Sequence, residues 1–202
     1  NKMRCIVEFA HVSNGVVFVY CERIDQNRVS GYRDRQVITI KDIVQCVSEL
    51  QVNEQPVFEM WTTSRTALSS QPAKKIPPLE RLIPKNRVVV VTREMTSKTI
   101  NQIKATLCHP KNSRGEYIKV VIATKIWYAG VDLKNVRQIH IVQPRNRSTG
   151  WKHYEQVLGR GNRRESHSGL EPTERNLLCF LHTFVKNYPV SYTHLRAHET
   201  EY

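Results

Sequence analysis

Residues 16–20 read VVFVY, five consecutive apolar residues, each β-branched or aromatic. A strand with one wet face alternates apolar with polar residues. An unbroken apolar run needs cover on both faces, as in a parallel sheet between two layers of helix. The flanks agree. Residues 2–12 put Ile6, Phe9, Ala10 and Val12 on one helical face, and Ser13-Asn14-Gly15 stops that helix. Residues 40–50 place Ile43, Val44, Val47 and Leu50 at helical spacing, and residues 56–61 read as a further strand. Residues 87–92, RVVVVT, are a strand, after which Thr96 or Ser97 caps a helix carrying Ile100, Ile103 and Leu107. A loop with Asn112 and Gly115 follows at 109–116. Residues 119–123 and 136–142 are strands, 150–164 is largely helix, and 176–181, NLLCFL, is a last strand. Strands alternating with helices predict an α/β fold, a parallel sheet with helices on both faces. Residues 62–86, rich in Ser, Pro and Lys, carry no period and read as a long surface loop. In such sheets function gathers in the loops after the carboxyl ends of strands, and the chemistry-bearing residues are expected there.

The chain's 202 residues suffice for one domain with a sizeable core, expected over 1–184. Lys and Arg number 31 against 18 Asp and Glu, a formal net charge of +13 that favours polyanionic partners such as nucleic acid or nucleotides. No apolar run reaches membrane-spanning length and none reads as a signal peptide, so no membrane partner is expected. The cysteines, Cys5, Cys21, Cys46, Cys108 and Cys179, are scattered without CxxC or zinc spacing. Buried thiols in a reducing, intracellular setting are the expectation. The chain starts inside a helical pattern without Met, and residues 185–202 read as a tail. Residues 190–200 resemble a translated sequencing adapter. The expectation is a fragment.

The chemistry concentrates in residues 154–167, YEQVLGRGNRRESH. Tyr154, Val157 and Leu158 make an apolar face that can dock on a sheet. Gln156, Arg160 and Arg163 stand on another side at spacings of four and three, so they project together. Gly159 and Gly161 weaken a helix, which makes sense where backbone must approach something closely. Planar, permanently charged guanidinium groups suit a triphosphate, whose γ-phosphoryl group gathers charge as it leaves. Upstream, in residues 123–133, ATKIWYAGVDL, Gly130 allows a tight turn between a strand end and Val131-Asp132-Leu133. Thr92 and Thr124 end strands, where a hydroxyl and backbone N–H groups can hold a phosphate without reading sequence. For both, and for Asp132, a cap or turn is the competing reading; Lys125 is either a further contact or a solvated lysine. His140 reads as a satisfied core histidine, Trp61, Trp127 and Trp151 as packing residues. His167 has no partner at useful spacing, and no metal-ligand set is visible. Neither a GxxxxGK[ST] phosphate loop nor an acidic pair for magnesium occurs.

Gln156-Val-Leu-Gly159-Arg160-Gly-Asn-Arg163 resembles motif VI of superfamily 2 helicases, and ATKIWYAGVDL resembles their motif V. GVVFVY and VVVVT resemble motifs IV and IVa. Order and spacing are those of the second, C-terminal RecA-like lobe, over residues 2–184. The resemblance implies one wall of an ATP site in an ATP-dependent helicase or translocase. Arg163 and Arg160 would be catalytic, and Gln156, Gly130, Asp132 and Gly159 would lie at the nucleotide. Thr92, Thr124 and Lys125 would hold DNA or RNA by its backbone. Mg2+ ligands would belong to a first RecA-like lobe in the same protein, so this lobe alone would be inactive. GEYIKVVIATK, LKNVRQIHIVQP and YEQVLGRGNRRESH are similar to helicase-like proteins of nucleocytoplasmic large DNA viruses. That group includes the poxvirus early transcription factor subunit and nucleoside triphosphate phosphohydrolase. It implies viral transcription machinery as a partner and host cytoplasm or virion as location. Arg164 stands where an aromatic is common, Asn162 replaces an apolar residue, and residues 144–156 run about two residues long. Two other readings stay open. One is a non-catalytic module that binds nucleic acid or a transcription partner; the other is a Snf2-type remodelling translocase.

Overall fold

The computed structural model describes residues 13–21, 38–62, 81–92, 95–124, 134–142 and 148–182. Six strands form one sheet: β1 (Val16–Cys21), β4 (Glu59–Thr62), β5 (Arg87–Val91), β6 (Val120–Ala123), β7 (Val136–Val142) and β8 (Leu178–His182). Every pairing is parallel and the order is β4-β5-β6-β1-β7-β8. Helices α1 (Ile40–Glu49), α2 (Ser97–Cys108) and α3 (Ser148–Gly161) complete the α/β, RecA-like architecture. VVFVY lies in β1, near the middle of the sheet, and Val16 to Tyr20 are all within 1% of full burial.

Strand order explains why both faces are covered. From β1 the chain travels out to β4 at one edge, then returns strand by strand and crosses β1 to reach β7 and β8. Parallel crossovers are right-handed, so reversing direction places connections on opposite faces. One core accordingly joins Val17, Val19, Val88, Val90, Val120 and Ile122 to Ile40, Ile43, Val44 and Val47 of α1. The other joins Phe18, Tyr20, Val89, Val121 and Ile139 to α2 and α3 through Ile103, Leu107, Tyr154 and Val157. Direction also reverses at β1, which makes the sheet's middle a topological switch point.

Local chemistry sets the helix starts. Thr39 caps α1: its N–H and hydroxyl both donate to Asp42 Oδ2, at 2.7 and 2.8 Å, while the Asp42 N–H donates to Thr39 Oγ1 at 3.3 Å. Thr96 caps α2 by accepting from the Thr99 N–H at 3.3 Å. At the sheet edge, Arg87 donates to Glu59 Oε2 at 2.9 Å and to the Ile83 carbonyl at 2.7 Å, with its guanidinium 4.7 Å from the Trp61 ring centre.

Three expectations change. The strand read at 56–61 begins later, at Glu59. Before it comes a two-stranded hairpin, β2 (Gln51–Val52) and β3 (Gln55–Pro56), turned by Asn53 and Glu54 at φ 51° and 63°. Helix α3 stops at Gly161, three residues short of the expected Arg164. Of the four described cysteines, which form no disulfide, Cys21 is buried and Cys46 half-buried. Cys108, in the last turn of α2, and Cys179, on the outer strand β8, are exposed, so thiol burial holds only for the central strand. The expected helix over 2–12 and most of the loop at 62–86 lie outside the described residues, as do Lys125, Gly130, Asp132, Trp127 and the tail.

Candidate functional site

Two groups of the expected site residues are described, and the sheet holds them at opposite edges. Thr92 follows β5 and Thr124 follows β6; Val91 pairs with Ala123, so the two threonines are cross-strand neighbours at the carboxyl edge, roughly 4.8 Å apart by ordinary strand spacing. Alternation puts both on the α1 face. Thr92 is 1% and Thr124 6% exposed, and neither hydroxyl has a hydrogen-bond partner. Capping does not explain Thr92, because Thr96 caps the following helix. Such a hydroxyl is costly, about 1–3 kcal/mol when buried and unsatisfied. The nearby α1 N-terminus is no substitute as an anion site, since the Asp42 carboxylate already occupies it.

The arginines sit elsewhere. Helix α3 follows β7 and runs back along the sheet, so its C-terminal end meets the amino edge. Asn135, immediately before β7, donates its N–H to the Ser166 carbonyl at 2.7 Å, and His167 Nε2–H donates to the Val136 carbonyl at 2.7 Å. Seven residues of β7 separate this edge from the other, roughly 20 Å at strand rise. This corrects the expectation that the chemistry-bearing residues share the carboxyl-end loops. Motif spacing gives the order of residues along the chain but not the direction of the helix that carries them.

Along α3, Tyr154 and Val157 are buried and Leu158 packs against the same core, as its apolar spacing requires. Gln156 is exposed and Arg160 half-buried, one helical turn apart. Arg163 is exposed and lies beyond the helix, not on its face as the spacing suggested. The last helical hydrogen bond runs from Asn162 N–H to the Leu158 carbonyl; then the Arg163 N–H turns to Ser166 Oγ at 3.1 Å. The two glycines divide their work. A Cβ at Gly161 would stand 2.8 Å from Ile139 Cδ1 and 3.3 Å from Leu177 Cδ2, so this is where helix meets sheet. A Cβ at Gly159 would meet nothing within 4 Å. Gly159→Ala is therefore expected to raise the chain's stability by about 0.5–1 kcal/mol, and Gly161→Ala to lower it by about 1 kcal/mol. Urea unfolding midpoints check both; shifts of the same sign would contradict this division.

The remaining candidates fill structural roles. His140, fully buried, donates Nε2–H to Gln138 Oε1 at 3.2 Å, which leaves Nδ1 to accept from His182 Nε2–H at 2.9 Å. It stacks on Phe180 with ring centres 4.6 Å apart. Burial, and secondarily His182, pushes its pKa down to about 3. It is the satisfied core histidine expected. Trp61 is 3% exposed and packs in the core. His167 bonds to backbone. Sequence reading missed His182, Ser166 and Asn135, which is at φ 58°; an Asn before a strand was the one available signal for a left-handed residue. Among the described residues there is no His/Cys/Asp/Glu cluster able to hold a metal, and no helix long and apolar enough to cross a membrane.

No protein-family profile matches the chain. Over 109 residues, 53% of the chain, it is 33% identical to the termination factor NPH-I homolog of African swine fever virus, in the Pretoriuskop tick and Namibian warthog isolates among others. Over 123 residues, 57% of the chain, it is 28% identical to "Putative helicase 087L" of Invertebrate iridescent virus 3. The matches cover 15% and 12% of those proteins' lengths. The chain thus has distant relatives among helicase-like proteins of large DNA viruses and matches only a small part of each.

Proposed function

We propose that this chain is the second RecA-like lobe of an ATP-dependent nucleic-acid helicase or translocase, with a nucleotide wall at one sheet edge and a nucleic-acid grip at the other. The observation that carries the reading is the Thr92–Thr124 pair: two buried, partnerless hydroxyls side by side at the carboxyl edge. A phosphate oxygen of DNA or RNA that reached this edge would accept from such hydroxyls whatever the base, and the chain's +13 charge would supply the long-range attraction.

At the amino edge the residues fit a nucleotide. Open space beside Gly159 leaves backbone approachable, next to the half-buried Arg160 and the exposed Arg163. ATP bound there against a first lobe supplies a γ-phosphoryl group. Arg163 and Arg160 would neutralise the charge that spreads over its oxygens as it leaves, Gln156 would contact the nucleotide, and Gly130 and Asp132 would line the same wall. Mg2+ would be held by acidic residues of that first lobe. Lys125 would extend the grip beside Thr124. The lobe alone would bind nucleic acid weakly and turn over no ATP. The viral relatives support a role beside viral transcription machinery, in the host cytoplasm or the virion.

Thr92→Val and Thr124→Val test the grip, since each keeps volume and removes only the hydroxyl. Thermal stability should hold or rise slightly, because a buried unsatisfied group is removed. Affinity for random-sequence nucleic acid should fall about tenfold with its salt dependence unchanged, because no cation is lost. Unchanged affinity together with lower stability would make the threonines structural and favour a lobe that binds elsewhere.

A further inference from the structure

We propose that Ser166 is a positioning residue for Arg163, an inference that rests on the catalytic reading of Arg163 above. Ser166 is 4% exposed and bonds through three of its groups. Its Oγ accepts from the Arg163 N–H at 3.1 Å, and its N–H donates to the Arg163 carbonyl at 2.9 Å. Its carbonyl accepts from the Asn135 N–H at 2.7 Å, which ties the turn to the first residues of β7. The two backbone clamps differ in kind. The bond to Asn135 anchors the turn to the sheet and does not involve the side chain. The hydroxyl bond reaches only the Arg163 backbone, at the point where α3 has ended and helical hydrogen bonding no longer holds the chain.

The local conformation confirms how much this one residue holds. Asn135 and Glu165 sit at φ 58° and 69°, on either side of the Ser166 contact. Asn adopts left-handed geometry readily, whereas a residue such as Glu165 holds it only where surrounding bonds require it. The turn that carries Arg163 is therefore bonded to the residue that leads into β7. A displacement of about 1 Å in a charge-stabilising group is enough to lose much of its effect. Ser166 touches neither substrate nor reacting atoms; it acts through the position of Arg163.

The test is steady-state ATP hydrolysis by the complete two-lobed protein with saturating nucleic acid. Ser166→Ala should lower kcat about five- to tenfold, with KM for ATP and the unfolding temperature nearly unchanged, because the backbone bond to Asn135 remains. In the Arg163→Ala background, Ser166→Ala should lower kcat no further, since the group it positions is gone. An unchanged kcat, or an equal additional loss in the Arg163→Ala background, overturns the proposal. Should Ser166→Ala fail to fold, Ser166→Thr is compared with Ser166→Val, matched in volume and differing in the hydroxyl. A kcat at least fivefold higher for Thr supports the role, and equal values overturn it. The catalytic reading fails separately, if Arg163→Ala alone leaves hydrolysis intact.

Discussion

Arg163→Ala in the complete protein is expected to slow nucleic-acid-stimulated ATP hydrolysis by at least about a hundredfold while changing ATP affinity little. Arginines that meet a phosphoryl group in the transition state contribute roughly 10³–10⁵ in rate. Their contribution belongs chiefly to the transition state, so it appears in kcat rather than in ground-state binding. Arg163 suits that role by its exposure, and its backbone is held between the end of α3 and the start of β7. Arg163→Lys should rescue poorly, because a compact ammonium cannot present two parallel donors. Arg164, the adjacent exposed residue, is the control, and Arg164→Ala should be mild. If Arg164 proves critical and Arg163 tolerant, the motif register is displaced by one residue.

A second large effect follows from His140. In the fold its pKa lies near 3, against 6.5 for an unperturbed histidine. The folded value is depressed, so at acid pH the unfolded chain takes up a proton that the folded one refuses. Stability is then fully present above the unfolded pKa and is lost as pH falls through the window from 6.5 towards 3. Each unit of difference is worth about 1.4 kcal/mol, so the fold should lose about 3 kcal/mol between pH 7 and pH 4 from this group. Equilibrium unfolding at several pH values checks it. His140→Gln should be less stable at neutral pH, having lost the bond to His182, yet flatter across the window. A variant with the same acid slope as the parent would contradict this account of His140.

The architecture was largely legible because its signals are local. VVFVY and the VVVV of residues 88–91 are unbroken apolar runs, and each became part of a strand buried on both faces. Thr39 with Asp42, and Thr96 with Thr99, are short-range bonds that a start signal can encode. The Asn53–Glu54 hairpin was not legible, because neither residue is the glycine that usually marks a left-handed turn. The candidate site was legible residue by residue and not as an arrangement. That Thr92 and Thr124 are neighbours depends on β5 pairing with β6, a fact of strand order that neither strand's composition carries. That Arg163 lies at the other edge depends on α3 running back along the sheet before Ser166 ties its end to Asn135. Long-range pairings decide both.

The proposed division gives one sheet two tasks, nucleotide chemistry at the amino edge and nucleic-acid grip at the carboxyl edge. Its most direct test measures ATP turnover and nucleic-acid affinity side by side on Arg163→Ala and Thr124→Val in the complete protein. A crossed result is expected. Arg163→Ala should lose turnover by at least about a hundredfold and keep nucleic-acid affinity. Thr124→Val should bind about tenfold more weakly and recover near-parental turnover once nucleic acid is saturating. If Thr124→Val abolishes turnover even at saturation, or Arg163→Ala weakens nucleic-acid binding as much as it slows hydrolysis, the two edges are not separate sites and the claim is wrong.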